Sequence, residues 1–395
     1  MKTPLKRFLC LLCIVPILIS CTPRAQVVSQ VNADVSAEIV TAPSALLMEA
    51  TSGQVLYELN ADEPLPIASV TKTMTMLLIM EALDFGKIKL SDKVQTSEYA
   101  ASMGGSQIFL EPGEEMTVEE MLKAIAVASG NDAAVAMAEF IAGGEPAFVE
   151  MMNKRAAELG CKNTHFINCN GLDETAEHHS SARDVALISR ELLKHPKILD
   201  YTTIWMDTLR NGEFGLSNTN KLIRFYKGAN GLKTGSTSVA KYCLSASAKR
   251  DGMQLIAVVL AAPSSAERFA SASKLLDYGF ANYSVVNAAD KIGSLDKLPV
   301  IGGKVDFVTP VADSNASFIV KKGNQDKIDV DISINEPLRA PLSKNQKIGT
   351  ATMSIGGEKV AVCDILSAEE VSRMGVPTMF WQMLRLWMCI PSAKL

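Results

Sequence analysis

Two hairpin signals bracket a long helical block, and that order leaves few architectures open. Near the front, SALLMEATSGQVLYELNADEPLP alternates around Ser52-Gly53, as two strands joined by a tight turn would. Far downstream, KYCLSASAKR and MQLIAVVLAA flank the turn signal Asp251-Gly252. Between them the pattern is helical: Met74 to Leu83, then TVEEMLKAIAVASGNDAAVAMAEFIAG, then Ala147 to Leu159. Glu119 and Glu120 fall in the first turn of the second stretch, where negative charge suits the helix dipole. A last helix from about Ala266 to Tyr278 closes this body. Strands at both ends with helices between imply an α+β fold over residues 39–283, one antiparallel sheet covered by helices.

From about residue 285 the character changes. KIDVDISIN puts Ile328, Val330, Ile332 and Ile334 on one face of a strand with polar residues between them, the period-2 mark of a half-buried sheet. KVDFVTPV, SFIVKK, GTATMSIG and KVAVCDIL are further short runs separated by Gly, Asn and Pro. Residues 285–370 read as a small all-β sandwich domain. The final segment, 376–391, differs again. In VPTMFWQMLRLWMCIP, Phe380, Met383, Leu384 and Trp387 recur at helical spacing, Gln382 and Arg385 form a narrow polar stripe, and Pro377 and Pro391 bound it. Such a helix is roughly 20 Å long, short of the ~30 Å hydrocarbon core. An amphipathic helix lying in the membrane surface, with two Trp at headgroup depth, fits better than a span. A terminal helix docked on the protein's own core is the alternative.

Lys2, Lys6 and Arg7 precede an apolar stretch, Phe8 to Ser20, too short to span a bilayer. Residues 1–21 therefore read as a signal peptide. Its end, Leu18-Ile19-Ser20-Cys21, resembles a bacterial lipoprotein processing box in which Cys21 becomes the lipidated N-terminus. An ordinary signal peptide cut a little further on stays open. Residues 22–38 are polar and Ala/Val/Ser-rich, a linker between membrane and body. The chain's 48% hydrophobic and 21% charged residues and net charge of -4 indicate neither disorder nor a nucleic-acid-binding surface.

Of eight cysteines, Cys10, Cys13 and Cys21 lie in the signal region, and the odd remainder cannot all pair. Cys161 and Cys169 form either a local bridge or two small buried thiols. His165, His178, His179 and His195 are too few and too scattered for a recognisable metal site, and no Cys pair has zinc-finger spacing. No metal and no cofactor is read from the sequence.

The chemistry is carried by IASVTKTMTMLLIM. Ser69 and Lys72, at i and i+3, share a helical face at the mouth of an apolar helix. Serine is a poor nucleophile at neutral pH without a base or a strong field. An amine partly desolvated there, beside other cations, has its pKa lowered and serves as a base. The helix N-terminus adds N–H groups directed at the developing charge. Alone, S-x-x-K is a common chance match. Here Ser129-Gly130-Asn131 ends a later apolar helix, and NGLKTGST brings Lys233-Thr234-Gly235 at the start of the strand-rich part. S-x-x-K, S-x-N and K-T-G in that order are the set of penicillin-binding proteins and serine β-lactamases.

On these residues the chain resembles the low-molecular-mass penicillin-binding proteins, D-alanyl-D-alanine carboxypeptidases of the S11 peptidase type. The blocks SGNDAAVAMAE, NCNGLDE, SSARDVA, RFASASKLLDYGF and PLRAPLSKNQKIGT extend the resemblance over most of the chain. It implies an extracytoplasmic enzyme, bound at the membrane surface through its C-terminal helix, that trims the terminal D-Ala from peptidoglycan stem pentapeptides and is inhibited by β-lactams. Ser69 would attack the carbonyl between the two D-Ala residues, with Lys72 taking its proton. Ser129 would relay a proton to the leaving amine, and Asn131 would hold the substrate amide. Lys233 would lower neighbouring pKa values and attract the substrate carboxylate, Thr234 would bond it, and Gly235 would let the strand approach closely. The backbone N–H groups of Ser69 and Ser236 would form the oxyanion hole. Arg268, in ERFAS, would assist carboxylate recognition, with an idle helix-surface Arg as the alternative.

One departure stands out: the family commonly has Asp-Gly before x-K-T-G, and this chain has Asn230-Gly231. Asn keeps the turn chemistry and loses the charge. An altered rate or pH profile is expected, not inactivity, and equal profiles for wild type and Asn230→Asp would refute it. Two rivals remain. A class A β-lactamase would need a Glu-x-x-Leu-Asn loop between Asn131 and Lys233, which the sequence lacks. A non-catalytic wall-binding protein of the same fold would not need all three motifs intact.

Overall fold

The computed structural model describes residues 40–388 except 174, 176 and 315, and except the side chains at 382, 385 and 386. The signal peptide, Cys21 and the 22–38 linker lie outside the described residues, as do Cys389 and Pro391 and the side chains of the Gln382/Arg385 stripe.

The two hairpins do meet in one sheet. Strands β1 (Ser44–Glu49), β2 (Val55–Leu59), β3 (Ala229–Thr237), β4 (Lys241–Arg250) and β5 (Met253–Ala262) assemble in the order β2-β1-β5-β4-β3, antiparallel throughout. The β1–β5 pairing joins the ends of the body, with Leu46 opposite Val258 and Met48 opposite Ile256. The β4–β5 turn takes positive φ at Asp251 (47°) and Gly252 (78°), the mirror-image turn that matches strand twist. Successive residues serve different cores. Leu46, Met48, Ile256, Val258 and Leu260 pack on one face, Leu47, Leu255, Ala257 and Val259 on the other. That is why MQLIAVVLAA reads as an unbroken apolar run: both faces are covered.

On the first face lie α1 (Lys72–Asp84), α2 (Asn131–Ala142), α3 (Glu145–Glu158) and α4 (Ala182–Leu192), and on the second α5 (Ser265–Asn282). Helix α1 is apolar nearly all round, and Thr73 to Met80 are all buried, as expected of a helix running through a core. The helical pattern over 117–143 is broken at Ser129-Gly130, where the motif marked the end of an apolar helix. A capped helix over Val118–Lys123 passes into one π turn, Ala124–Ala128; Ser129 then takes a left-handed conformation, and α2 starts afresh at Asn131. Apolar spacing continues on both sides of the break, so periodicity alone does not reveal it.

The C-terminal body has its own core around Val300, Val308, Phe318, Ile348, Met353 and Ile365. Its largest sheet orders β6 (Pro310–Ala312), β9 (Glu358–Ser367), β8 (Lys347–Ile355) and β7 (Ile328–Ile334). Because β7 is the edge strand, its Ile328, Val330 and Ile334 are only half-buried and Ile332 is 36% exposed. The chain ends in helix α6 (Val376–Trp387), which exposes Val376, Phe380, Trp381, Met383 and Trp387. Among the described residues, no helix is long and apolar enough to cross a membrane. Cys161, Cys169, Cys243 and Cys363 are free thiols, so Cys161 and Cys169 do not pair.

Candidate active site

The site is built on the turn between Ile67 and Lys72. Ala68 takes a left-handed φ of 48° and turns the chain from the short strand Leu65–Pro66 into a 3-10 turn, Ala68–Thr71, continuous with α1. In that geometry residues i and i+3 eclipse, and Lys72 Nζ lies 3.0 Å from Ser69 Oγ. Ser69 is half-buried. Lys72 is completely enclosed (0% exposed), and its Nζ also donates to Asn131 Oδ1 at 2.5 Å and to the Asn170 carbonyl at 2.9 Å.

Burial pushes the Lys72 amine down to about 7, against the pull of Cys169 and Asp132, which raise it. The expected help from neighbouring cations is not the cause: removal from water dominates. A sizeable share of this amine is therefore unprotonated at neutral pH. An unprotonated Nζ 3.0 Å from a serine hydroxyl can take its proton.

Asn131 opens α2 with both ends fixed. Its backbone N–H donates to the Ser106 carbonyl and its Nδ2 to the Gly104 carbonyl, each at 2.7 Å, which leaves Oδ1 facing Lys72. The buried carboxylate of Asp132 accepts from the N–H groups of Ile108 (3.0 Å) and Leu110 (3.1 Å). From outside, Arg210 donates to the carbonyls of Ile108 and Phe109. Together they fasten the 104–110 loop as one wall of the site. Ser129, two residues before Asn131, is buried with φ 66° and ψ 30°. A left-handed serine after a π turn is the kind of irregularity that functional sites retain.

The K-T-G segment lies on β3, the edge strand of the sheet, against the nucleophile turn. A Cβ on Gly235 would come 2.6 Å from the Ile67 carbonyl oxygen and 2.9 Å from the Ser69 nitrogen, so this close approach requires glycine. Ser236, next along, is exposed. Thr234 Oγ1 donates to Thr219 Oγ1 at 2.7 Å, and the buried Lys233 Nζ donates to the Thr234 carbonyl at 2.9 Å. Burial, then the charges of Lys72 and Arg268, hold Lys233 well below the usual lysine range. The sequence reading made Lys233 a cation acting on its neighbours. The structure adds that its own charge is opposed by burial and by the charges of Lys72 and Arg268.

Arg268, on α5, is buried and is no idle surface residue. Its Nη1 donates to the carbonyls of Gly235 (3.1 Å) and Cys243 (3.2 Å), and its guanidinium stacks 4.6 Å from the Phe269 ring centre. It braces the K-T-G strand from behind. Asn230 is tied into the strand start: Ser247 Oγ donates to its Oδ1 at 2.7 Å, and its Nδ2 donates to Gln254 Oε1 at 2.9 Å. An Asp there would lose the donor to Gln254.

Three contributors escaped the sequence reading although NCNGLDE and SGNDAAVAMAE contain them. Asn170 acts through its carbonyl, and Asp132 through backbone groups of a distant loop. Gly171 (φ +81°) packs so closely that a Cβ would lie 1.9 Å from the Ala68 oxygen. Among the described residues no group of three or more His, Cys, Asp or Glu could hold a metal ion.

Comparison with known proteins shows the family and the fold. Residues 30–264 match the D-alanyl-D-alanine carboxypeptidase family, peptidase S11, and residues 280–373 match the C-terminal domain of penicillin-binding protein 5. The chain is 50% identical over 351 residues to the D-alanyl-D-alanine carboxypeptidase DacF of Bacillus subtilis, covering 88% of this chain and 90% of that one. Penicillin-binding protein 5 from Haemophilus influenzae superposes with a TM-score of 0.73 at 32% identity, over 85% of this chain and 98% of its own. Penicillin-binding protein D2 from Listeria monocytogenes, solved in its ampicillin-bound form, gives a TM-score of 0.54 at 32% identity, over 61% of this chain and 98% of its own. With a family model spanning more than half its length and a half-identical relative, this chain belongs to the peptidase S11 family of serine D-alanyl-D-alanine carboxypeptidases.

Proposed function

We propose that this D-alanyl-D-alanine carboxypeptidase works through an acyl-enzyme on Ser69. The observation that carries the assignment is the enclosed Lys72 amine, shifted to about 7 and 3.0 Å from Ser69 Oγ. Lys72 accepts the hydroxyl proton as Oγ bonds to the carbonyl carbon between the two D-Ala residues. The oxygen takes up the negative charge between the backbone N–H groups of Ser69 and Ser236. The C–N bond then breaks, and the departing D-Ala amine receives its proton by way of Ser129. Water hydrolyses the ester and frees the shortened stem peptide. Asn131 holds the substrate amide, while Lys233 and Thr234 form the side that receives the terminal carboxylate, with Arg268 assisting by holding their strand; a carboxylate arriving there favours the charged form of Lys233 against its burial.

A β-lactam offers the same attack with a leaving group that stays tethered. Ser69 is acylated, and slow hydrolysis turns the drug into an inhibitor. The ampicillin-bound relative supports this reading. The exposed apolar side chains of α6 support placement at the outer face of the cytoplasmic membrane. In a Cys21→Ala background, deletion from residue 376 is expected to move the enzyme into the soluble fraction; unchanged partitioning there would rule the helix out as an anchor.

The test of the assignment is release of free D-Ala from diacetyl-Lys-D-Ala-D-Ala. Wild type should liberate one D-Ala per peptide, and Ser69→Ala should lose at least about 10³-fold in kcat. Turnover surviving in Ser69→Ala would overturn it.

A further inference from the structure

One buried histidine sits beneath the nucleophile turn without touching Ser69 or Lys72 in the mechanism above. Its position is set by two features of the fold. The strand His179–Ser180 pairs with Leu65–Pro66, immediately before the turn. The Ile167 N–H donates to His178 Nδ1 at 3.2 Å, and the Phe166 ring lies 5.5 Å from the imidazole, centre to centre.

The direction of each hydrogen bond follows. A neutral imidazole has one donor and one acceptor nitrogen. Because Nδ1 accepts from Ile167, the proton is on Nε2, which lies 2.6 Å from Thr71 Oγ1. The Thr71 hydroxyl accepts there and uses its own proton to donate to the Ala68 carbonyl at 2.7 Å. Burial pushes the imidazole down to about 4, so it is neutral throughout the range in which Lys72 titrates. The Ala68 carbonyl and the Ser69 N–H belong to one planar peptide unit and point in opposite directions. Pinning the carbonyl therefore aims the N–H.

We propose that His178 is a positioning residue which, through the Thr71 hydroxyl, holds the Ala68–Ser69 peptide plane and so directs the Ser69 N–H at the oxygen that becomes charged. The inference rests on the assignment of Ser69 as nucleophile and of its N–H as an oxyanion donor. Losing one such donor outright lowers kcat by about 10²–10³-fold, and misdirecting it has a smaller effect.

The experiment compares Thr71→Val, Thr71→Ser, His178→Phe and the Thr71→Val/His178→Phe double variant in D-Ala release, with thermal unfolding midpoints recorded for each. Thr71→Val keeps the shape and removes the relay. It is expected to lower kcat by about 10–100-fold with KM within about threefold, and Thr71→Ser should restore the rate. His178→Phe should give a similar loss, and the double variant should be no worse than the worse single, because both act through one carbonyl. Single variants within twofold of wild type, or losses that multiply in the double, would overturn the proposal. Should His178→Phe fail to fold, the Thr71 pair decides alone. Ser69→Ala run alongside separates the two readings: activity in that variant removes the nucleophile assignment, whereas an inactive Ser69→Ala with an active Thr71→Val removes only the role of His178.

Discussion

Lys72→Met is expected to fold and to lose D-Ala release by about 10³-fold or more. Methionine is close to lysine in length and carries no charge, so the enclosed site keeps its packing. What disappears is the nitrogen held 3.0 Å from Ser69 Oγ by an oriented amide and a main-chain carbonyl. The wild-type pH profile carries the sign. The base must be unprotonated, and burial has lowered its pKa to about 7, so kcat/KM should fall as pH drops through about 7 and level off above it. Residual activity in Lys72→Met should lack that acid limb. A variant retaining a tenth of wild-type kcat, or one whose residual activity keeps the limb at the same pH, would place the base elsewhere.

Gly171→Ala is expected to be nearly as damaging, from a position that has no side chain of its own. Its φ of +81° already disfavours a side chain, and a Cβ there would lie 1.9 Å from the Ala68 oxygen and 2.7 Å from Thr71 Oγ1. Neither neighbour can yield, since one is backbone in the nucleophile turn and the other is bonded to it. The turn must move, carrying Ser69 with it. Acylation by benzylpenicillin should slow by about 10²-fold, since small displacements of reacting groups have effects of that order. Urea unfolding should show a loss of about 2–4 kcal/mol. Gly113 provides the control: its φ is +83°, but nothing lies within 4 Å of the added Cβ. Gly113→Ala should cost only about 1 kcal/mol and leave acylation unchanged. Equal effects of the two substitutions would mean that backbone strain, and not the contact with Ala68, is what matters at Gly171.

The distribution of what could be read from sequence follows from which groups do the work. The sheet was legible because β1 and β5 are strongly patterned and must find each other. Ser69, Lys72 and Asn131 were legible because it is their side chains that meet, and the structure links the three through Lys72. The motif marked a helix end at Ser129-Gly130-Asn131, but the left-handed turn there was not legible, since it leaves the apolar spacing around it intact. Asn170 contributes a carbonyl, which every residue has, and Gly171 contributes the absence of a side chain. The four histidines looked scattered because Thr71, Ile167 and His178 are brought together only by pairing of 65–66 with 179–180. The cause of the Lys72 shift was likewise hidden: the amine is enclosed between Asn131 and the Asn170 carbonyl, which come from distant parts of the chain and which no local pattern brings together.

Intact mass of the enzyme during incubation with benzylpenicillin, beside Ser69→Ala, decides whether the acyl-enzyme chemistry is right. A single penicilloyl adduct per chain should form in the wild type, persist for many minutes and be absent from the variant. An adduct on Ser69→Ala, or none on the wild type, would contradict Ser69 as the nucleophile. An adduct that decays while free penicilloate accumulates would mean that water reaches this ester readily, as in a β-lactamase.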